Sequence, residues 1–245
     1  MFDPSNATVD LIDERPAKAF VHQHHYSGTY PAARRRAGLF IGTRLVGVCV
    51  FSVPVHQGIV PKYFDGLDPA HGVELGRLVL LDEVAANAES WFVARAFRLL
   101  RADLPEVLGV VSYSDPVART TAAGDVVKPG HVGTVYQALN AAYRGRARGQ
   151  NMVLDRHGRV VSARALSKLR NGESGAAYVY QQLLACGAPK RRATESDRDY
   201  VTRALREGDF RRVPHPGNHT YSWWLGPKNR APDWAALPYP KKEAP

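Results

Sequence analysis

Three histidines and a tyrosine fall within five residues, at His22, His24, His25 and Tyr26. Such a set can supply a general base, a metal ligand or a stacking surface for a nucleic-acid base, or it can be a solvated loop. Adjacent histidines of an extended segment point to opposite faces, so one of His24 and His25 is expected to face a site. A second cluster, Ser112, Tyr113, Ser114 and Asp115, closes an apolar run just before Pro116. An aspartate there can hold a histidine or polarise an amine, and serine hydroxyls can donate to a developing oxyanion. An Asx turn ahead of the proline is the simpler reading of Asp115. The third set is GHVGTVYQALN, residues 130–140, a glycine-flanked helix start whose free amides can hold an anion near His131 and Tyr136. Tyr136 can equally be a core contact of that helix.

These residues need elements to place them. Leu75, Leu78, Val79, Leu80 and Leu81 surround Arg77 in a nearly continuous apolar run, the pattern of a strand covered on both faces. Asn87 can cap a helix carrying Trp91, Phe92, Ala94, Phe97 and Leu100, which Pro105 ends. Val107 to Val111 predict a second strand with the Ser112–Asp115 cluster at its carboxyl end, where open α/β sheets bind ligands. Upstream, residues 1–36 are polar with little periodicity, and Gly38–Ile41 and Leu45–Val53 predict a hairpin about Gly42, Thr43 and Arg44. Residues 54–72 and 116–130 read as loops, the first mobile or covering a site. Residues 132–143 read as a helix with Val135, Leu139 and Tyr143 on one face, and 150–161 as a hairpin turning at His157-Gly158. From 162 to 208 the pattern is helical and basic. An aromatic run at 220–225 suits a strand whose Tyr221, Trp223 and Trp224 serve a core or sheet face, and 226–245 is a proline-rich extended tail.

Charge is unevenly spread. Residues 1–140 carry 13 Lys and Arg against 14 Asp and Glu, whereas residues 141–245 carry 20 against 9. A neutral half beside a cationic half suits an enzyme acting on nucleic acid, with a solvated basic surface as the plain alternative. The phosphate-binding candidates are Arg34, Arg35, Arg36, Arg164, Lys168, Arg170, Lys190, Arg191 and Arg192. No apolar run is long enough to span a bilayer and the N-terminus lacks a signal-peptide pattern, so a cytoplasmic protein is expected. Cys49 and Cys186 sit in no motif and are expected to be reduced thiols.

Taken in order, HYSGTYP, ELGRLVLLDEV, NAESWF, VVSYSDP and GHVGTVYQALN resemble the phage Mom-type DNA modification proteins, a divergent branch of the GNAT acyltransferase fold. The likeness runs from about His22 to Tyr143 and continues through SARALSKLR to SWWL. It implies an α/β fold with a GNAT-like, mixed and mostly antiparallel twisted sheet flanked by helices. On that pattern, residues 1–161 and 218–226 form the catalytic core, 162–217 a basic helical DNA-contacting insertion and 227–245 a tail. The implied activity is transfer of a carbamoylmethyl or acyl-type group to the exocyclic amine of adenine in double-stranded DNA, shielding phage DNA from restriction in the cytoplasm of a phage-infected or prophage-carrying host. The carried-over catalytic residues are His25, Tyr26, Asp115 and Tyr136, with Arg77 as the strand arginine and Ser112, Tyr113, Ser114 and His131 as substrate- or donor-binding candidates.

The pyrophosphate loop of ordinary GNAT enzymes is replaced by DEVAANAES, residues 82–90, where Asp82, Glu83 and Glu89 oppose an anion, so an acetyl-coenzyme A-like donor lacks its usual grip. Iron is associated with the family, and His24, His25, His131 and Asp115 form the ligand pool. The rival readings are a non-catalytic DNA-binding protein on the same fold and a small-molecule N-acyltransferase.

Overall fold

The computed structural model describes residues 2–85, 87–233 and 236–241. Eleven strands and seven α-helices alternate among these residues. Contacts divide the chain into two units: residues 1–116, 131–147 and 218–245 form the first, and 117–130 with 148–217 the second.

The first unit is built on one sheet of seven strands. In chain order these are β1 (Ala7–Leu11), β2 (Ala33–Ile41), β3 (Arg44–Ser52), β4 (Gly72–Leu80), β5 (Gly109–Ser114), β8 (Ala142–Arg146) and β11 (His219–Trp224). They lie side by side as β1-β2-β3-β4-β5-β11-β8. Every neighbouring pair is antiparallel except β4 and β5. The fold class expected from sequence, a mixed and mostly antiparallel sheet flanked by helices, is the one observed.

One face carries α3 (Ala88–Asp103) and the short α4 (Thr134–Ala138), whose apolar sides meet Leu75, Val110, Tyr221 and Trp223 in the main core. The other face carries α1 (Glu14–His24), packed through Ala17, Phe20 and Val21, and α2 (Ile59–Tyr63), packed through Val60. α2 seats on a pair of facing glycines. Gly72 and Gly109 are register partners where β4 and β5 begin to pair. A Cβ on Gly72 would collide with Val60, and one on Gly109 would stand 2.6 Å from Phe64. The bare backbone there lets a helix approach the sheet closely.

Several elements differ from the sequence reading. Residues 1–36 hold a strand and a helix, because α1 buries only three side chains and its polar remainder masks the period. His22 and His24 are therefore helical and His25 caps the helix end, so the segment is not extended. Asn87 stands at the cap of α3, but its Oδ1 accepts the amide of Phe2 at 3.1 Å instead of an amide of its own helix. The expected helix over 132–143 shrinks to five residues, since Asn140 takes a φ of 53° that no helix continues. Tyr143 is thereby in β8. Residues 54–72 contain α2, and the 116–130 loop contains a small hairpin, β6 (Arg119–Thr120) with β7 (Val126–Lys128). The His157-Gly158 turn forms, but β9 (Gln150–Leu154) pairs chiefly with β10 (Arg211–His215).

The second unit joins these short strands to α5 (Ala163–Arg170), α6 (Ala176–Ala185) and α7 (Asp197–Glu207) around Leu166, Leu169, Val179, Leu183, Tyr200 and Val201. Ser162 and Ser196 cap α5 and α7 by accepting the amides of Ala165 and Asp199 at 3.3 and 3.1 Å. This unit carries 16 Lys and Arg against 8 Asp and Glu, so it holds most of the net positive charge. No helix among the described residues is long and apolar enough to cross a membrane. In the tail, residues 234–235 and 242–245 lie outside the described residues.

Candidate active site

The parallel pairing of β4 and β5 is short. It covers Gly72–Glu74 against Gly109–Val111, while both strands run on, to Leu80 and Ser114. Beyond Glu74 and Val111 the backbones leave each other's register, so the peptide groups there have no ladder partner between these two strands. Part of the gap is bridged by Ser112, whose hydroxyl donates to the Leu75 carbonyl at 3.0 Å. On the other side of β4 a bulge falls at the same level. Val50 pairs with Arg77 and Phe51 with Leu75, which leaves Gly76 without a partner on β3. A bulge reverses which face the following residues take and commonly re-aims a side chain beside an active site.

Strand alternation divides the polar residues between the two faces. Ser112 and Ser114 share the α3 and α4 face with Val110, and the hydroxyl of Tyr136 reaches Ser112 there. Burial pushes that hydroxyl up to about 12, so it stays protonated and acts as a hydrogen-bond donor. Its ring lies 5.3 Å from Tyr221 and 5.5 Å from Trp223, within the core. Tyr113 takes the α2 face with Val111. Ser112 to Asp115 thus serve two surfaces rather than one cluster, and Asp115 follows them, buried, with its carbonyl accepting the amide of exposed His131 at 3.0 Å.

Glu74 is a candidate that the sequence does not single out. It lies between Val73 and Leu75, both in the main core, so its side chain takes the opposite face, toward Tyr113. Burial raises its carboxyl above the usual carboxylate range, against the opposing effects of the Val55 amide and Arg77. Tyr113 is raised as well, first by burial and then by the nearby Glu74 and Tyr63. A single acid at the head of an apolar strand gives no sequence signal. The 54–72 segment supplies the Val55 amide that meets its carboxylate and the Tyr63 ring that bears on Tyr113.

Arg77 joins β4 to the HYSGT loop. Its Nε donates to the Thr29 carbonyl at 3.1 Å and a terminal nitrogen donates to Thr29 Oγ1 at 2.7 Å. In the same loop His25 Nδ1 meets Ser27 Oγ at 2.7 Å, and the His25 and Tyr26 rings stack with centroids 4.2 Å apart. Tyr26 is close enough to act electrostatically on both Arg77 and Tyr136. His24 instead rests on Phe20, with ring centroids 4.6 Å apart, and His22 contacts the Gly28 carbonyl at 2.8 Å. Among the described residues no three His, Cys, Asp or Glu side chains are grouped to hold a metal, so His24, His25, His131 and Asp115 are not assembled as a ligand set.

The acids after β4 are partly neutralised. Glu83 pairs with Arg44 at 2.5 Å, and burial raises the carboxyl of Glu89. Cys49 is fully buried and its thiol is raised by burial. Cys186 donates to Asp155 at 3.3 Å, and burial followed by that contact pushes its thiol up to about 11. Neither is poised as a nucleophile.

A profile of the Mom protein family matches residues 6–241. The chain belongs to the Mom protein family. A curated relative, the methylcarbamoylase Mom of Escherichia phage Mu, is 27% identical over 138 residues, 56% of this chain and 53% of its own length. The chain therefore spans about half the length of that relative. Among solved structures, a tandem GNAT protein from the clavulanic acid biosynthesis pathway aligns over 91% of this chain and 99% of its own, with a TM-score of 0.46 and 11% identity. The ribosomal-protein-S5-alanine acetyltransferase of Vibrio fischeri aligns over 60% and 85%, with a TM-score of 0.40 and 11% identity.

The basic candidates are placed unequally. Arg34 donates to the carbonyl of Ala70 at 2.6 Å and lies 3.4 Å from Glu106, Arg35 pairs with Asp103, and Arg36 lies 3.9 Å from Glu14. These three staple β2 to its surroundings. Arg164 makes a two-pronged pair with Glu173 at 2.9 and 2.6 Å. Arg191 pairs with Asp197 at 2.5 Å and lies over Tyr200. Lys168 and Arg170 end α5 half-buried, while Lys190 and Arg192 are exposed.

Proposed function

We propose that the protein transfers a carbamoylmethyl or acyl-type group to the exocyclic amine of adenine in double-stranded DNA, and so protects phage DNA from restriction. The observation that carries this reading is the parting of β4 and β5, with Glu74 and Tyr113 on one face and Ser112 and Tyr136 on the other, in a chain of the Mom family. The name of the phage Mu relative supports the group transferred. An acyl-coenzyme A-like molecule is the donor class that suits the transfer.

The adenine amine is a weak nucleophile, because its lone pair is delocalised into the ring. A base must take its proton as the new N–C bond forms and the donor's bond to its leaving group breaks. Glu74 is suited to this: burial raises its basicity, and it lies at the opening itself. Tyr136, protonated at neutral pH, donates toward the group that gains negative charge, with Ser112 beside it. Arg77 holds the loop of His25 and Tyr26, and Tyr26, partly exposed, offers a ring on which a base flipped from the duplex can stack. Asp115 and His131 border the carboxyl end of β5. The basic residues of 162–217, Lys190 and Arg192 first among them, bind duplex phosphates.

Mass spectrometry of nucleosides from DNA of cells expressing the protein tests the reading. A modified deoxyadenosine is expected. Duplex binding with an unchanged nucleoside profile would instead make this a non-catalytic DNA-binding protein, and acylation of small amines alone would make it a small-molecule N-acyltransferase.

A further inference from the structure

His219 is 3% exposed at the first position of β11, and its register partner on β5 is Ser114, the last residue of that strand. Its partner on β8 is Arg146. A strand position this buried needs no imidazole for packing, and the ring nitrogens cost free energy unless both are met. Both are met. Nδ1 lies 2.7 Å from the Tyr143 hydroxyl, and Nε2 lies 3.5 Å from a terminal nitrogen of Arg146. A guanidinium only donates, so Nε2 accepts from Arg146 and Nδ1 gives its proton to Tyr143.

Arg146 itself is exposed. It differs from Arg34, Arg35, Arg36 and Arg77 of the same unit. Arg34, Arg35 and Arg36 face carboxylates and Arg77 is spent on Thr29, whereas Arg146 pairs with no carboxylate among the described residues. An arginine whose head group is held by a buried imidazole keeps its charge and its remaining donors for a ligand. Fixing it beforehand also lowers the entropy lost on binding. The strand order β5-β11-β8 sets its backbone two strand spacings from Ser114, about 10 Å.

We infer that Arg146, held by the Tyr143–His219 pair, is a phosphate-binding site at the carboxyl end of β5. Its ligand is a phosphate oxygen, supplied either by the backbone of the duplex or by a phosphorylated donor such as coenzyme A. The inference rests on the proposed function for the choice of these two sources.

The experiment measures binding of a fluorescent duplex oligonucleotide and of coenzyme A, separately, by wild type, Arg146→Gln, Tyr143→Phe and the control Arg101→Gln, an exposed arginine in the last turn of α3. If the phosphate is the duplex's, Arg146→Gln weakens duplex binding about fivefold or more and lowers the slope of log K against log salt by about 1. If it is the donor's, coenzyme A binding falls and the duplex slope stays. Tyr143→Phe, which removes one hydroxyl and keeps the ring, should lower the same affinity by a smaller factor and leave the salt slope nearly unchanged, because the charge remains. Wild-type affinities for both probes in Arg146→Gln overturn the inference, and so does a wild type that binds neither. An unmodified nucleoside profile from a wild type that binds through Arg146 overturns the proposed function alone.

Discussion

Arg77 and Thr29 are joined twice, through the backbone carbonyl at 3.1 Å and the hydroxyl at 2.7 Å. The pair fastens the residue after the β4 bulge to the loop that carries His25 and Tyr26, so the placement of the loop depends on the fork of a guanidinium. Arg77→Lys keeps the charge and loses the fork. We expect it to lower transfer about 10²-fold, the scale of a misplaced reacting group, with little change in melting temperature. Thr29→Val, which removes one of the two contacts, should cost less, and the double variant should lose no more than Arg77→Lys alone. Additive losses in that cycle would show that the two residues act separately.

Glu74 gives a pH prediction with a definite sign. Its carboxyl is raised by burial, so the ionised base accumulates only above the usual carboxylate range. The rate of transfer should climb with pH through that raised value and then level off. Glu74→Gln should remove this limb and lower the rate by about 10²–10⁴-fold, the usual contribution of a general base. Stability runs the other way. A carboxylate raised in the fold costs stability as pH rises from its unfolded value through its folded one, and glutamine is free of that cost while still accepting the Val55 amide. Glu74→Gln should therefore melt no lower than wild type at pH 8. A variant both inactive and markedly less stable would make Glu74 a structural residue.

The glycine pair under α2 tests how the opening is built. A methyl on Gly109 would meet the Phe64 ring at 2.6 Å, and that ring is itself 2% exposed, so it has nowhere to turn. Gly109→Ala should destabilise the protein by about 1–3 kcal/mol, the range for an overpacked core. Because α2 belongs to the segment whose Val55 amide meets Glu74, the same variant should also shift the pH profile of transfer. Chemical denaturation read beside the pH profile checks both. An unchanged midpoint would mean that Phe64 relaxes freely.

The sheet strands were legible in the sequence where burial on both faces leaves a continuous apolar run, as in Leu75–Leu81, and where a glycine turn joins two such runs, as at Gly42. Local pattern failed where the fold depends on distant partners. β10, RRVPH, carries no apolar alternation, and its partner β9 lies about sixty residues away in sequence, so nothing local marks it as a strand. The Ser112–Asp115 cluster was found as a run, but a run cannot say that period-2 alternation sends Ser112 to Tyr136 and Tyr113 to Glu74. Glu74 and His219 were missed for one reason. Each is a lone polar residue whose meaning comes from a neighbour brought in by topology, Val55 for the first and Arg146 for the second. The motifs that carried the family resemblance were legible because they are contiguous. The groups that condition them are not.

The last prediction concerns the helical unit. Arg203, 7% exposed, donates to both oxygens of Glu195 at 2.6 and 2.8 Å, to Glu207 at 3.2 Å and to the Lys190 carbonyl at 2.9 Å. The hydrogen bonds from Arg203 hold the Glu195 carboxyl down at about 2, against an ordinary value of 4.5. A depressed carboxylate contributes stability that is complete above its unfolded value and is lost as pH falls through its folded one. The helical signal should therefore weaken between about pH 4.5 and 2 in wild type, and Glu195→Gln should lose that dependence and melt lower at pH 7. The same contact fixes the chain at Lys190, next to Arg191 and Arg192. Glu195→Gln removes a negative charge, which by itself strengthens binding to a polyanion. If the basic segment works by being held in place, duplex affinity nonetheless falls in this variant. Tighter binding at every salt concentration would show that charge alone, and not the Arg203 anchor, governs contact with DNA.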